Sequence, residues 1–298
     1  MRQRFFSKIA VVIMMIATIV MTACPYDNNI ETDTVTVSPN VYVAGYVYND
    51  SHSKVAAIWK NGLRQDLTYG TNVSYAFSVF VSGNDVYVAG ETYNGGVQVA
   101  TLWKNGMQQD LSDGTGYGFA KSVFVSGSDV YVVGDDYGYG AMLWKNGVKQ
   151  TLSTTGTRSA SAFSVFVSNN DVYVAGNSYY NYSHSYTTPI LWKNGTVQTF
   201  PATGYASANS VFVSDNDVYV AGIDVDVDDL TILPVLWKNG VRQTLPFTSS
   251  GEAKSVFVSG NDVYVAGEDN HKPVLWKNGV RQDLTDGSMG TAYSVFVK

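Results

Sequence analysis

The amino-acid sequence predicts an all-β fold, a six-bladed β-propeller with four-stranded antiparallel blades, and three observations carry that expectation. One phrase, S-V-F-V then D-V-Y-V-A-G then L-W-K-N-G, recurs with its central tyrosines at Tyr42, Tyr87, Tyr131, Tyr173, Tyr219 and Tyr264. The steps between them are 45, 44, 42, 46 and 45 residues, a period in which four short strands make one blade. All six tryptophans of the 298-residue chain hold one position of the phrase, which suits large rings packed between stacked blades.

Each unit supplies its four strands in order. Ser78-Val79-Phe80-Val81 is β-branched and aromatic and reads as strand A. Ser82-Gly83-Asn84 turns into strand B, Asp85–Ala89. Thr101–Lys104 is strand C, and Asn105-Gly106 signals a two-residue hairpin, because both positions want positive φ. Met107–Leu111 is strand D. The strand-D glutamines, Gln65 to Gln282, are expected to bond backbone or a neighbouring blade, and Asp85 and its copies to accept turn amides. Six S-V-F-V phrases exist, but the last starts at Ser294, and the first unit enters through the weaker Val35-Thr36-Val37-Ser38. The C-terminal strand is therefore expected to close the first blade.

The N-terminus reads as an export signal. Arg2, Arg4 and Lys8 precede the apolar run Ile9–Val20, followed by Met21-Thr22-Ala23-Cys24. Residues 1–23 are expected to be a lipoprotein signal peptide, 24–40 the lipidated Cys24 and a polar tether, and 41–298 the propeller. Cys24 is the sole cysteine, so the fold must hold without an internal disulfide. Removing the signal takes three of the 19 basic residues and none of the 25 acidic ones, moving the net charge from −6 to −9. Nucleic acid is excluded as a partner on that balance.

The V-Y-V-A-G and W-K-N-G units resemble NHL-type bacterial propeller repeats, and more closely a group of bacterial lipoproteins built from these same units. The resemblance covers about residues 41–298. It implies the fold and a lipid-anchored place in the bacterial envelope, periplasmic or surface-exposed, and it implies no reaction.

Length varies only in the B-to-C and D-to-A connections, which alternating strands place on one rim, where binding residues concentrate. The B-to-C loops carry Tyr46, Tyr48, Tyr93, Tyr137, Tyr139, Tyr179, Tyr180, Tyr182 and Tyr186. Tyr69, Tyr75, Tyr117, Tyr205 and Tyr293 lie in the D-to-A stretches. Tyrosine among Gly, Ser and Asn suits a sugar or a protein surface; it also suits aromatic packing onto the blade tops. Two residues of each repeat are expected to ring the channel mouth. One set precedes the strand-A serine: Phe77, Lys121, Phe163, Asn209, Lys254 and Tyr293. The other, following V-A-G, includes Tyr46, Glu91, Asp135 and Glu268. Lys121 is expected beside Asp135 and Lys254 beside Glu268, as rim salt bridges or as part of a ligand site.

No catalytic apparatus stands out. There is no G-x-S-x-G, and His52, His184 and His271 have no paired spacing. Asp224, Asp226 and Asp228 offer alternating carboxylates to Ca²⁺, though without the glycine and bidentate glutamate of a calcium loop. No cofactor is expected. The reading is a non-catalytic, membrane-anchored binder of carbohydrate or of a protein partner. A polysaccharide-acting enzyme and a structural envelope scaffold stand as alternatives.

Overall fold

A computed structural model describes residues 40–69, 72–137, 140–154, 159–179 and 187–297. The expected signal segment, Cys24 and the expected tether up to residue 39 lie outside the described residues, as do Tyr139, Tyr180, Tyr182, His184 and Tyr186. Residues 42–298 form one compact unit. Blade one is β1 (Tyr42–Tyr48), β2 (Lys54–Lys60) and β3 (Leu63–Asp66). Blade two is β4 (Ser74–Ser82), β5 (Asp85–Asn94), β6 (Val97–Lys104) and β7 (Met107–Asp110). Four further antiparallel sheets repeat that A-B-C-D order, completing a six-bladed propeller of one three-stranded and five four-stranded sheets.

The hairpins follow the turn chemistry. Asn105 and Gly106 take φ of 52° and 81°, and the other Asn-Gly pairs repeat these values. The A-to-B and C-to-D turns share one rim and are tied together. Asn105 donates from Nδ2 to Asp85 Oδ1 at 2.8 Å and accepts from the Val86 amide at 2.9 Å. Lys104 Nζ sits 2.9 Å from Asp85 and 5.2 Å from the centre of the Tyr87 ring. This clamp recurs in blades three to six, and it explains why lysine and asparagine recur beside the tryptophan. The aspartates thus accept from lysine, asparagine and tyrosine side chains rather than from turn amides, and these donors hold their carboxyls below the ordinary range.

Among the described residues the core consists of five clusters, each made by two neighbouring blades. The tryptophan of one blade lies on the tyrosine and leucines of the blade before it. Trp192, Trp237 and Trp276 also donate their indole N–H to the carbonyls of Ser153, Pro201 and Pro246, at 2.7, 3.0 and 2.7 Å. The strand-D glutamine meets the next blade, with Gln65 beside the Gly106 turn and Gln243 beside Gly279. The S-V-F-V phenylalanines of successive blades meet one after another, Phe80, Phe124, Phe166, Phe212, Phe257 and Phe296, with consecutive centroids 4.6–5.0 Å apart.

The C-terminal segment meets its expected position but not its expected pairing. The Val295 amide donates to Ser255 Oγ at 3.3 Å, the relation each strand A has to the one before it. Residues 284–297 form no ladder with β1, so blade one keeps three strands. On the free face of β1, Val43 is 51 % exposed, whereas its counterparts Val88 and Val174 are 1 % exposed.

Candidate binding site

The variable rim is more strand than loop. β1 and β5 run past the V-A-G glycine, so Tyr46, Tyr48, Glu91 and Tyr93 are strand residues. Tyr179 ends the equivalent strand of blade four, Asp171–Tyr179. In β4 strand A starts four residues before the S-V-F-V serine, which brings Tyr75 into the strand. The hydrophobic phrase marks only the half of each hairpin that packs between blades; past the glycine the ladder continues under varied side chains.

In blades two to six the residue before the strand-A serine is the extra residue of a β-bulge. The register shifts between Ala76 and Ser78, Ala120 and Ser122, Ala162 and Ser164, Ala208 and Ser210, and Ala253 and Ser255. Phe77, Lys121, Phe163, Asn209 and Lys254 are thereby re-aimed out of the pleat. The kink folds a carbonyl onto the V-A-G glycine: a Cβ on Gly90 would lie 1.9 Å from Tyr75 O and 2.9 Å from Trp103 Cζ3. Glycine recurs there because bulge and tryptophan close on it from two sides.

From blade three onward, several expected mouth residues bridge neighbouring blades. Lys121 pairs with Asp135 as expected and lies 4.4 Å from the centroid of Phe163 in the next blade. Asp135 and Asn177 accept from the amides of Ala162 and Ala208, at 3.1 and 3.0 Å. Asn209 donates to Ala253 O at 2.9 Å. Lys254 departs from expectation. It pairs with Glu252, two residues back on its own strand, while Glu268 accepts from Thr291. Glu252 and Glu268 face each other in the ladder, and the bulge leaves the lysine with the nearer one. Tyr179 packs inward beside Ser161 and Asn177, and burial pushes its phenol up. Asp224 is fully buried against Arg242 Nε at 2.7 Å and accepts from the Thr203 amide at 2.9 Å. It is thus committed to an internal ion pair, while Asp226 caps the Asp228 amide at 2.9 Å.

Blades one and two differ. Tyr46 and Tyr48 on β1 meet edge to face at 5.9 Å, and Tyr46 meets Tyr75 of β4 at 5.1 Å. Tyr75 and Phe77 stack at 5.9 Å with 12° between their planes. Lys54 on β2 lies directly opposite Tyr48 in the ladder. Its Nζ donates to the Tyr75 hydroxyl at 2.9 Å and sits 4.9 Å from the Tyr46 ring and 4.8 Å from the Tyr75 ring. The phenol oxygen raises the Lys54 pKa, so the ammonium stays charged. Tyr46, Tyr48 and Phe77 are 43 %, 61 % and 48 % exposed. A second pair, Tyr117 and Tyr137, meets edge to face at 5.9 Å on blade three, and Tyr293 is exposed near the chain end.

Glu91 faces Tyr75 across the β4–β5 ladder. It is 3 % exposed rather than lining an open mouth, with Oε1 accepting from Gln98 at 3.1 Å and Oε2 buried without a partner. Burial pushes its carboxyl up, opposed by Gln98 and by the Lys121 charge. A cleft of ≈ 240 Å³ opens elsewhere, between blades three and four, reaching the fixed turns at Asn170 and Asn194.

Two features lay outside the expected set. Lys54 was visible only as a basic residue among rim tyrosines. The buried Asp224–Arg242 and Asp269–Arg281 pairs had a readable signal, because the repeats are their own alignment. The residue two after V-A-G is Asp in blades three, five and six, and there strand D carries Lys149, Arg242 and Arg281.

No protein-family model matches the chain, and no curated protein matches its sequence. Among solved structures it is similar to the computationally designed Ika8 protein, at 18% identity and a TM-score of 0.48, over 82% of this chain and 72% of that one. It is similar to the β-propeller domain of the Trilobed protease from Pyrococcus furiosus, described as having an open velcro topology, at 12% identity and a TM-score of 0.49, over 82% and 78%. It is also similar to the acylaminoacyl peptidase of Pyrococcus horikoshii, at 13% identity and a TM-score of 0.46, over 82% and 43%.

Proposed function

We propose that this propeller is a non-catalytic binding protein that recognises carbohydrate through its tyrosine-rich rim, held at a membrane by a lipid on Cys24. The aromatic cluster of Tyr46, Tyr48, Tyr75 and Phe77 carries the reading. It presents exposed ring faces and phenol hydroxyls on strands rather than on loops, so the surface is fixed before a ligand arrives and little ordering entropy is spent. Sugars offer C–H faces to such rings and hydroxyls to such phenols.

A glycan array on the purified protein tests this. The expected result is a defined set of sugars whose binding falls about tenfold, ~1.4 kcal/mol, in Phe77→Ala. An array without signal, or binding that survives loss of Phe77 and Tyr46 together, contradicts the proposal. Incorporation of labelled palmitate, abolished by Cys24→Ser, checks the anchor.

A further inference from the structure

We infer that the blade-one cluster selects acidic sugars, hydroxylated rings bearing a carboxylate, and that Lys54 is the selecting residue. This rests on the carbohydrate reading above and names its ligand class. Lys54 differs from the lysines that pair with carboxylates. Lys121, Lys254 and the clamp lysines of blades two to six are each neutralised by an aspartate or glutamate. The Lys54 ammonium has three aromatic rings and one phenol oxygen around it, and among the described residues no carboxylate lies within ion-pair distance. Ring faces hold a cation in place without cancelling its charge. The result is a positioned ammonium, still seeking an anion, beside the stacked Tyr75–Phe77 pair.

That combination matches one ligand chemistry. The Tyr75–Phe77 face takes the apolar side of a sugar ring, and the ammonium takes a carboxylate projecting from its edge. A neutral sugar would use the rings alone. The net charge of −6 works against long polyanions at a distance, so the site suits short acidic oligosaccharides bound by close contact.

The test compares trigalacturonate with its fully methyl-esterified form, which differ in charge but keep the ring, and repeats the pair with glucuronate and mannuronate trisaccharides. Calorimetry should show at least one acid bound about tenfold more tightly than its ester. Lys54→Met should erase that difference and Lys54→Arg should retain it, both with unchanged thermal unfolding. Equal binding of acid and ester, unaffected by Lys54→Met, overturns the inference and leaves the carbohydrate reading intact. Binding of neutral sugars only has the same consequence. No binding to any acid, ester or arrayed sugar overturns both.

Discussion

Trp192 and Trp59 hold the same position in their repeats, yet their surroundings differ. Trp192 is fully buried against blade three and donates to Ser153 O at 2.7 Å. Trp59 is only partly buried and belongs to none of the five inter-blade clusters. Its would-be partners on blade six show the same deficit: Tyr264 and Leu275 are partly exposed and Leu284 is 52 % exposed, whereas Tyr173 and Leu191 are 6 % and 3 % exposed. A single repeat cannot bury both faces of its sheet, so most stabilisation resides between blades. The seam between blades six and one has the right residues on both sides without that gain.

The largest expected effect breaks this comparison most directly. Trp192→Ala removes a fully buried ring and should cost about 3–5 kcal/mol, whereas Trp59→Ala should cost less than half as much. Chemical denaturation of both variants measures the difference. Equal costs would mean that the seam shuts in solution and buries Trp59 like its counterparts.

The glycines sharpen it. A Cβ on Gly176 would stand 2.0 Å from Ser161 O and 2.9 Å from Trp192 Cζ3, with backbone on one side and a packed ring on the other. A Cβ on Gly45 would meet only the Trp59 ring among the described residues, Cζ3 at 3.2 Å and Cη2 at 3.6 Å, because no strand A lies beside β1. Gly176→Ala should destabilise by about 1–3 kcal/mol, the cost of overpacking a filled site. Gly45→Ala should be close to neutral. A Gly45→Ala penalty matching that of Gly176→Ala would place a bulged strand beside β1 as well.

How far the sequence could be read follows the same division. Several residues repeated in all six copies were legible in role: the Asn-Gly turns, the strand order, tryptophan between blades and glutamine toward the neighbouring blade all follow from periodicity and turn chemistry, whereas the equally recurrent clamp lysine and V-A-G glycine show their partners only in the fold. The bulge was not, because one extra residue in a strand leaves the alternation on either side intact, and Ala-X-Ser looks like the end of a loop. The rim was misjudged for a related reason. Its strands continue under residues such as Tyr46 and Glu91, which no period constrains. Lys54 was missed because its significance lies in the missing carboxylate, and a linear pattern does not show which charges are unpaired in space.

The smallest expected effect concerns two carboxyls at one position of the repeat. Asp135 in blade three pairs with Lys121 and accepts from the Ala162 amide. Glu91 in blade two has Gln98 on one oxygen and nothing on the other. Burial raises the folded pKa of Glu91 above its ordinary value of 4.5, so the folded chain binds this proton more tightly than the unfolded chain does. The stabilisation from that proton is complete below the unfolded value and is lost as pH rises through the folded one. Glu91→Gln carries no titrating group, so it should gain on the wild type as pH rises above 4.5 and level off once Glu91 is ionised in both states. Unfolding temperatures of the two proteins from acid to neutral pH give the curve. A difference that stays flat across that range would mean that Glu91 titrates alike in the folded and unfolded chains, with its second oxygen satisfied as fully as that of Asp135.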